Sequence, residues 1–352
     1  MEPAMNILFW GTRGLVSSPK SDKITYGGNT PCVQILYKNH LILVDTGFGA
    51  TNLGEPLMQR ILKNKEKLEV HIFYTHFHWD HIQGLPFFHP IYFKSTKLFL
   101  YSPEPSTYMA SNLDILFDGS YSPFSGLANM PSQISLQQLT APVEIDGLKV
   151  EYARVDHAVN AATVREQQAF AYKFTDPSGA SVVIASDHEA RPSPLNRHLI
   201  DFAQGCSLLI HDAQFTDAEY RKRAGWGHST AGQALDNGLK TRAGRVLMTH
   251  HAPARTDAEI QKIFEKLRRM SKYARLNFEF AREDVLYPVV PVVLSQLPKP
   301  IRRSRASASK VVSKKAKPTS ARKVKPKSKS KPKPRVVKKK VTSAKRKPTR
   351  KA

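Results

Sequence analysis

The sequence predicts an α/β body of the α+β kind, with two mixed sheets covered by helices and a polycationic tail appended. Three observations lead there. Short apolar, β-branched runs recur through residues 1–297, and helical patterns interrupt them without the strict alternation of a doubly wound parallel sheet. Several of those runs end directly in His or Asp. The charge is also divided. Of the 54 Lys and Arg that give the 352-residue chain its net +25, 24 lie between Lys299 and Ala352, a stretch with no acidic residue.

Taken in order, residues 6–10, 32–37 and 41–44 read as strands, the last two joined by the polar turn Lys38-Asn39-His40. Residues 55–65 carry Leu57, Met58, Ile61 and Leu62 at helical spacing. Residues 70–74 form a strand that runs into a histidine-rich loop, and 97–101 form another. Residues 102–139 are rich in Pro, Ser, Asn and Gly and read as irregular, with one short helix near 109–116. Strands resume at 148–155, 170–174, 182–185 and 208–210. Helices are expected at 194–203, 230–239 and 257–270, with a strand at 245–248 between the last two.

Composition excludes several classes. Without the tail, 30 basic residues face 29 acidic ones, so the body is close to neutral. The tail lacks Phe, Trp, Tyr, Leu and Met, so it has too little apolar surface to offset its ordering entropy and is expected to be disordered. The expected division is therefore a domain at 1–297 and a tail at 298–352. Nothing approaches 18 consecutive apolar residues, and Met1 to Trp10 lacks the charge and apolar core of a signal peptide. Cys32 and Cys206 lie too far apart for a disulfide framework or a cysteine zinc site. A cytoplasmic enzyme, nucleoid-associated through its tail, is the expectation.

The chemistry centres on Thr75-His76-Phe77-His78-Trp79-Asp80-His81, which places three histidines and an aspartate within six residues of a strand end. A core turn has no use for so many ligand-type side chains. Imidazoles with a carboxylate suit Zn²⁺, with Mn²⁺ or Fe²⁺ as alternatives.

This run resembles the His-x-His-x-Asp-His signature of the metallo-β-lactamase superfamily. The resemblance implies an αββα sandwich holding two divalent metal ions at one edge, between the sheets. It also implies further ligands at later strand ends: His157, Asp187 and His250. On that assignment His76, His78 and His157 hold one metal, Asp80, His81 and His250 hold the other, and Asp187 bridges them. Asp45 matches the superfamily's early aspartate, a support for a ligand. His188 and His251 adjoin assigned ligands and are expected in loop or supporting roles, with His251 the alternative to His250.

Two further segments narrow the branch. Leu209-Ile210-His211-Asp212-Ala213-Gln214 and Gly225-Trp226-Gly227-His228-Ser229-Thr230 look like the paired loops of ribonuclease Z-like phosphodiesterases. The likeness implies that His228, oriented by Asp212, protonates the leaving oxygen. The competing reading makes Asp212 and Ser229 helix caps. Gly11-Thr12-Arg13-Gly14, Tyr26-Gly27-Gly28-Asn29-Thr30 and residues 79–88 extend the likeness over roughly residues 6–262. It is to bacterial hydrolases described as cyclic-nucleotide phosphodiesterase-like.

The function implied is hydrolysis of a cyclic or small-nucleotide phosphodiester by a hydroxide held between the metals, with His228, Asp212 and Asp80 as the catalytic set. The alternative is an RNA endonuclease of the transfer-RNA 3′-processing type. Such enzymes project a Gly- and Lys-rich arm, whereas residues 102–139 hold Glu104, Asp114 and Asp118 and no Lys or Arg. A third reading is a nucleic-acid-associated binding protein, its tail engaging phosphate backbones or another polyanion through counterion release. Ribonuclease Z-like enzymes commonly dimerise, so a homodimer is expected by resemblance.

Overall fold

Apolar runs buried on both faces become inner strands, and amphipathic ones pack helices over them. The computed structural model describes residues 4–120, 122, 124–157 and 168–292. The expected boundary near Leu297 and the tail lie outside the described residues. The strands of the first half are β1 (Met5–Gly11), β2 (Cys32–Tyr37), β3 (His40–Val44), β4 (Leu68–Phe73), β5 (Thr96–Ser102) and β6 (Gln133–Gln138). Those of the second are β7 (Val143–Ile145), β8 (Leu148–Val155), β9 (Ala169–Thr175), β10 (Ser181–Ala185), β11 (Leu208–Asp212), β12 (Arg245–Thr249), β13 (Phe278–Phe280) and β14 (Leu286–Val289).

They form two seven-stranded mixed sheets, ordered β14-β1-β2-β3-β4-β5-β6 and β13-β12-β11-β10-β9-β8-β7. In each sheet one half is antiparallel and the other parallel, with the change at β3 and at β10. Ile7, Ile35, Ile42 and Phe73 of one sheet meet Tyr172, Phe174, Val182 and Ile210 of the other in a buried central layer. Leu53, Leu57 and Ile61 of α1 (Gly49–Asn64) cover the outer face of the first sheet. Leu199 of α4 (Pro194–Phe202), Leu235 of α6 (Ala231–Thr241) and Ile260 of α7 (Asp257–Arg268) cover the second. Short helices α2 (Trp79–Ile82), α3 (Ser106–Asp114) and α5 (Asp217–Tyr220) lie in the connections. The result is the four-layer αββα sandwich. No helix among the described residues is long and apolar enough to cross a membrane.

Two differences from the expectation bear on the first half of the chain. Helix α1 begins at Gly49, six residues before Glu55, because Ala50 and Leu53 pack into the same apolar layer as Leu57. Pro56 sits inside it, where the sequence suggested a first turn. Residues 102–139 are also more ordered than their composition suggests, since they contain α3 and the strand β6 paired to β5.

Candidate metal centre

Strand direction gathers the site. β3 and β4 run parallel, as do β10, β11 and β12, while β1 and β8 stand two antiparallel steps from β3 and β10 and point the same way. The chain beyond each strand therefore emerges at one edge: Gly14 after β1, Asp45 after β3, His76 and His78 after β4. His157 follows β8, Asp187 follows β10, Asp212 ends β11 and His250 follows β12.

The side chains converge as two donor groups. In the first, His78 Nδ1 lies 2.9 Å from His76 Nε2 and 3.1 Å from His157 Nε2. Asp187 Oδ2 lies 3.7 and 3.6 Å from those two Nε2 atoms. In the second, Asp80 Oδ2 lies 3.6 Å from His81 Nε2 and 3.3 Å from His250 Nε2. Asp187 Oδ1 lies 3.2 and 3.1 Å from that second pair. Asp187 thus offers one oxygen to each group.

Ligands about 2.0–2.1 Å from a tetrahedral Zn²⁺ stand roughly 3.3–3.4 Å apart, so both groups have the span of a metal site. His81 Nε2 and Asp187 Oδ1 are buried without a hydrogen-bond partner, a state that a cation would relieve. Protonation fits as well. Burial holds His76 and His78 below the usual imidazole range and takes His157 down to about 3, leaving them in the neutral, ligating form. Burial alone would raise Asp187, but His250 and His81 outweigh it and keep the carboxylate ionised. His81 is the exception: burial disfavours its charge, yet Asp187, Asp80 and Asp45 raise it well above the usual range. A divalent ion at Nε2 would take the place of that proton.

The second nitrogen of most of these rings is anchored, which selects the tautomer. His81 Nδ1 donates to Asp45 Oδ2 at 2.8 Å, and Asp45 also accepts from Thr75 N and Thr75 Oγ1, both at 2.8 Å. His76 Nδ1 donates to Thr75 Oγ1 at 3.0 Å, His157 Nδ1 to the Gly227 carbonyl at 2.8 Å, and His250 Nδ1 to Gln214 Oε1 at 3.0 Å. Leu15 N donates to Asp80 Oδ2 at 2.7 Å. The backbone bends to deliver two of these groups. Asp45 and His250 occupy the left-handed region at φ 62° and 61°, which costs about 1–3 kcal/mol each for non-glycine residues. Gly14 is small by necessity, since a Cβ there would lie 2.2 Å from His250 Cε1.

His228 stands against this centre. Its ring stacks on His250 at 4.9 Å, and one of its nitrogens lies within 4.8 Å of donor atoms of Asp187 and His250. His228 Nδ1 donates to Asp212 Oδ2 at 2.6 Å, while Asp212 Oδ1 accepts from Gln214 N at 3.0 Å and Ser229 N at 2.9 Å. Burial would lower the imidazole, but the Asp212 carboxylate overrides it and raises His228 to about 9. Neither Asp212 nor Ser229 caps a helix, because Thr216 caps α5 and Thr230 caps α6. Buried Glu189 shapes the loop that presents His228, accepting from Tyr220 Oη at 2.7 Å, Gly225 N at 2.8 Å and Gly227 N at 3.0 Å.

The two neighbours with ambiguous roles are engaged elsewhere. His251 Nε2 donates to the Ala281 carbonyl at 2.9 Å. His188 Nδ1 accepts from Asp156 N at 3.2 Å, and its Nε2 donates to Asn196 Oδ1 at 2.9 Å. Sequence reasoning assigned no role to Thr75, Gln214, Glu189, the Leu15 amide or the Gly227 carbonyl. Thr75 and Gln214 lay inside the motifs and could have been suspected. Glu189 and Leu15 carried no pattern.

Residues 40–251 match the model of a family described as "Beta-lactamase superfamily domain". The chain is 25% identical over 287 residues to ribonuclease Z of Pyrococcus horikoshii, covering 71% of this chain and 87% of that one. Among solved structures it resembles unliganded yeast PDE1, with a TM-score of 0.57 and 15% identity over 82% of this chain and all of that one. It also resembles the short form of human tRNase Z, with a TM-score of 0.53 and 19% identity over 81% of this chain and 99% of that one.

Proposed function

The chain belongs to the β-lactamase superfamily as a metal-dependent hydrolase, and from that premise we propose that it cleaves a phosphodiester bond of a cyclic or small nucleotide. The observation that carries this reading is His228 with Asp212 behind it, set against the shared carboxylate Asp187. Thioester cleavage shares the donor groups but releases a thiolate that calls for no such acid.

We assign His76, His78, His157 and Asp187 to one divalent ion and Asp80, His81, His250 and Asp187 to the other, with Zn²⁺ the best match to the donors. Such ions supply Lewis acidity and an activated water at neutral pH. The chain's own residues do the rest. Asp187 and Asp80 bring negative charge that holds the cations, and Asp45, Thr75, Gln214 and the Gly227 carbonyl keep the imidazoles aimed. His228, charged through Asp212, delivers a proton from Nε2 to the departing sugar oxygen. Asp80 acts as a ligand inside this set.

A second reading, endonucleolytic cleavage of RNA, draws support from the name carried by the Pyrococcus relative. Against it, residues 102–139 hold acidic groups and no Lys or Arg, and they contribute α3 and the sheet strand β6 instead of a cationic arm. A panel of bis-p-nitrophenyl phosphate, cyclic AMP, cyclic GMP, cyclic dinucleotides, precursor transfer RNA and a thioester separates these readings. Small nucleotides should be turned over best, and only with metal present. Turnover of the thioester alone would overturn the proposal, and a preference for precursor transfer RNA would install the second reading.

The division into a hydrolase at 1–297 and a basic segment at 298–352 is part of the proposal, and that segment is assigned to polyanions. Neutralising phosphates releases counterions, so affinity should fall with salt at a log–log slope of about −0.9 per contact. Full-length protein should be retained on DNA at low salt and released as salt rises, while a 1–298 truncation should pass through. Equal behaviour of the two would remove the tail from the account.

A further inference from the structure

Resting on the nucleotide reading above, we infer that an apolar cleft beside the metal loop is the seat of the substrate's nucleobase. Helix α2 is a wall shared by the two sites. Asp80 and His81 are buried on its inner side, while Trp79 is 61% exposed and, with Gln83 one turn on, lines a cleft of about 580 Å³. The remaining walls include Pro86, Phe87, Tyr92, Leu116 and Phe124. Trp79 lies in sequence between His78 and Asp80, one from each donor group. Helix α2 thus carries donors of the metal site and a wall of the cleft, and the occupant assigned to the cleft is another part of the molecule held at the metals.

The lining states the chemistry of that part. No Asp, Glu, Lys or Arg lines the cleft among the described residues; its polar groups are Gln83, His89 and Ser122, so it offers no fixed cation to a second phosphate. Its rings instead offer flat faces. Phe87 is 56% exposed beside Phe48, with ring centroids 6.0 Å apart. Tyr92 stacks on Phe124 at 5.3 Å and donates from Oη to the Pro86 carbonyl at 2.5 Å, which sets the wall before anything binds. Gln83 Nε2 is committed to Thr30 Oγ1 at 2.9 Å. The volume falls within the range of about 300–1,000 Å³ usual for small-molecule sites. A flat, uncharged ring read by stacking more than by hydrogen bonds meets these conditions, and purines and pyrimidines should be accepted alike.

The test compares the full-length metal-loaded enzyme with Phe87→Ala and Trp79→Ala on three phosphodiesters: a nucleoside 2′,3′-cyclic phosphate, the same cyclic phosphate on ribose without a base, and a simple alkyl diester. Metal content is measured alongside. The wild type should prefer the nucleoside ester, and each variant should lose roughly 5- to 150-fold of that preference, the range for loss of one base-stacking ring. Adenosine 5′-monophosphate should quench tryptophan emission in the wild type, and the quench should disappear in Trp79→Phe.

An unchanged ratio in both variants overturns the inference while leaving the phosphodiesterase reading standing. A wild-type preference for the alkyl ester overturns it too. If no diester is hydrolysed, the functional reading falls, and the titration decides the cleft: a Trp79-dependent quench supports a base site and its absence removes it.

Discussion

Replacing Asp187 with Ala should empty both metal positions and abolish hydrolysis. Among the described residues, Asp187 is the one with an oxygen toward each donor group, Oδ2 toward His76 and His157 and Oδ1 toward His81 and His250. Its loss leaves each group one donor short and removes the anion that balances two cations in a buried site. Lewis-acid stabilisation is worth several kcal/mol, so turnover should fall by about 10³-fold or more. Elemental analysis should find the two divalent ions in the wild type and none in the variant. Stability supplies a second reading. With free metal about 1,000-fold above Kd, each wild-type site adds about 4 kcal/mol, so chelation should lower Tm by on the order of 10 °C. The variant's Tm should not respond to chelator. Retention of one ion per chain would show that the two groups are independent and that Asp187 does not bridge them.

Replacing His228 with Ala should lower kcat by roughly 10²–10⁴-fold, the usual worth of a general acid, while both ions stay bound. The pH profile separates this role from a structural one. Asp212 raises His228 to about 9, so the protonated form is present below that value and is lost as pH rises through it. Two divalent ions nearby oppose a charged imidazole and bring the transition closer to neutrality. The wild-type rate should therefore decline on the alkaline side, and the decline should vanish in His228→Ala. Asp212→Asn should shift the same limb to lower pH, because an amide orients the ring without stabilising its charge. Unchanged turnover, or loss of metal from His228→Ala, would remove His228 from the acid's role.

The strands legible in the sequence and those that were not differ in one respect. The inner strands were all expected, because each shows either a continuous apolar run, as in β10, buried at each of its five positions, or an alternation that buries one face, as in β8. The four strands that went unrecognised, β6, β7, β13 and β14, are the outer edges of the two sheets. An edge strand has a free side and tolerates polar or short sequences. Hence β6 reads Gln-Ile-Ser-Leu-Gln-Gln, β7 and β13 span three residues each, and β14 carries Pro288 opposite Asn6, where only an edge accepts it.

The sequence by itself determined the two-sheet class, the neutrality of the body beside its basic end, and the order in which His and Asp follow successive strands. The charge division is a sum over composition, and the other two features are local, each written within a strand and the few residues after it. Only the tertiary structure decided which of those residues share a point in space and what holds them there. Asp45 reaches His81 across 36 residues of chain, the Gly227 carbonyl reaches His157 across 70, and Asp80 meets His250 across 170. The cleft walled by Trp79 and Leu116 is likewise written in no single segment. Such pairings depend on sheet order and strand direction, which periodicity in the chain does not encode.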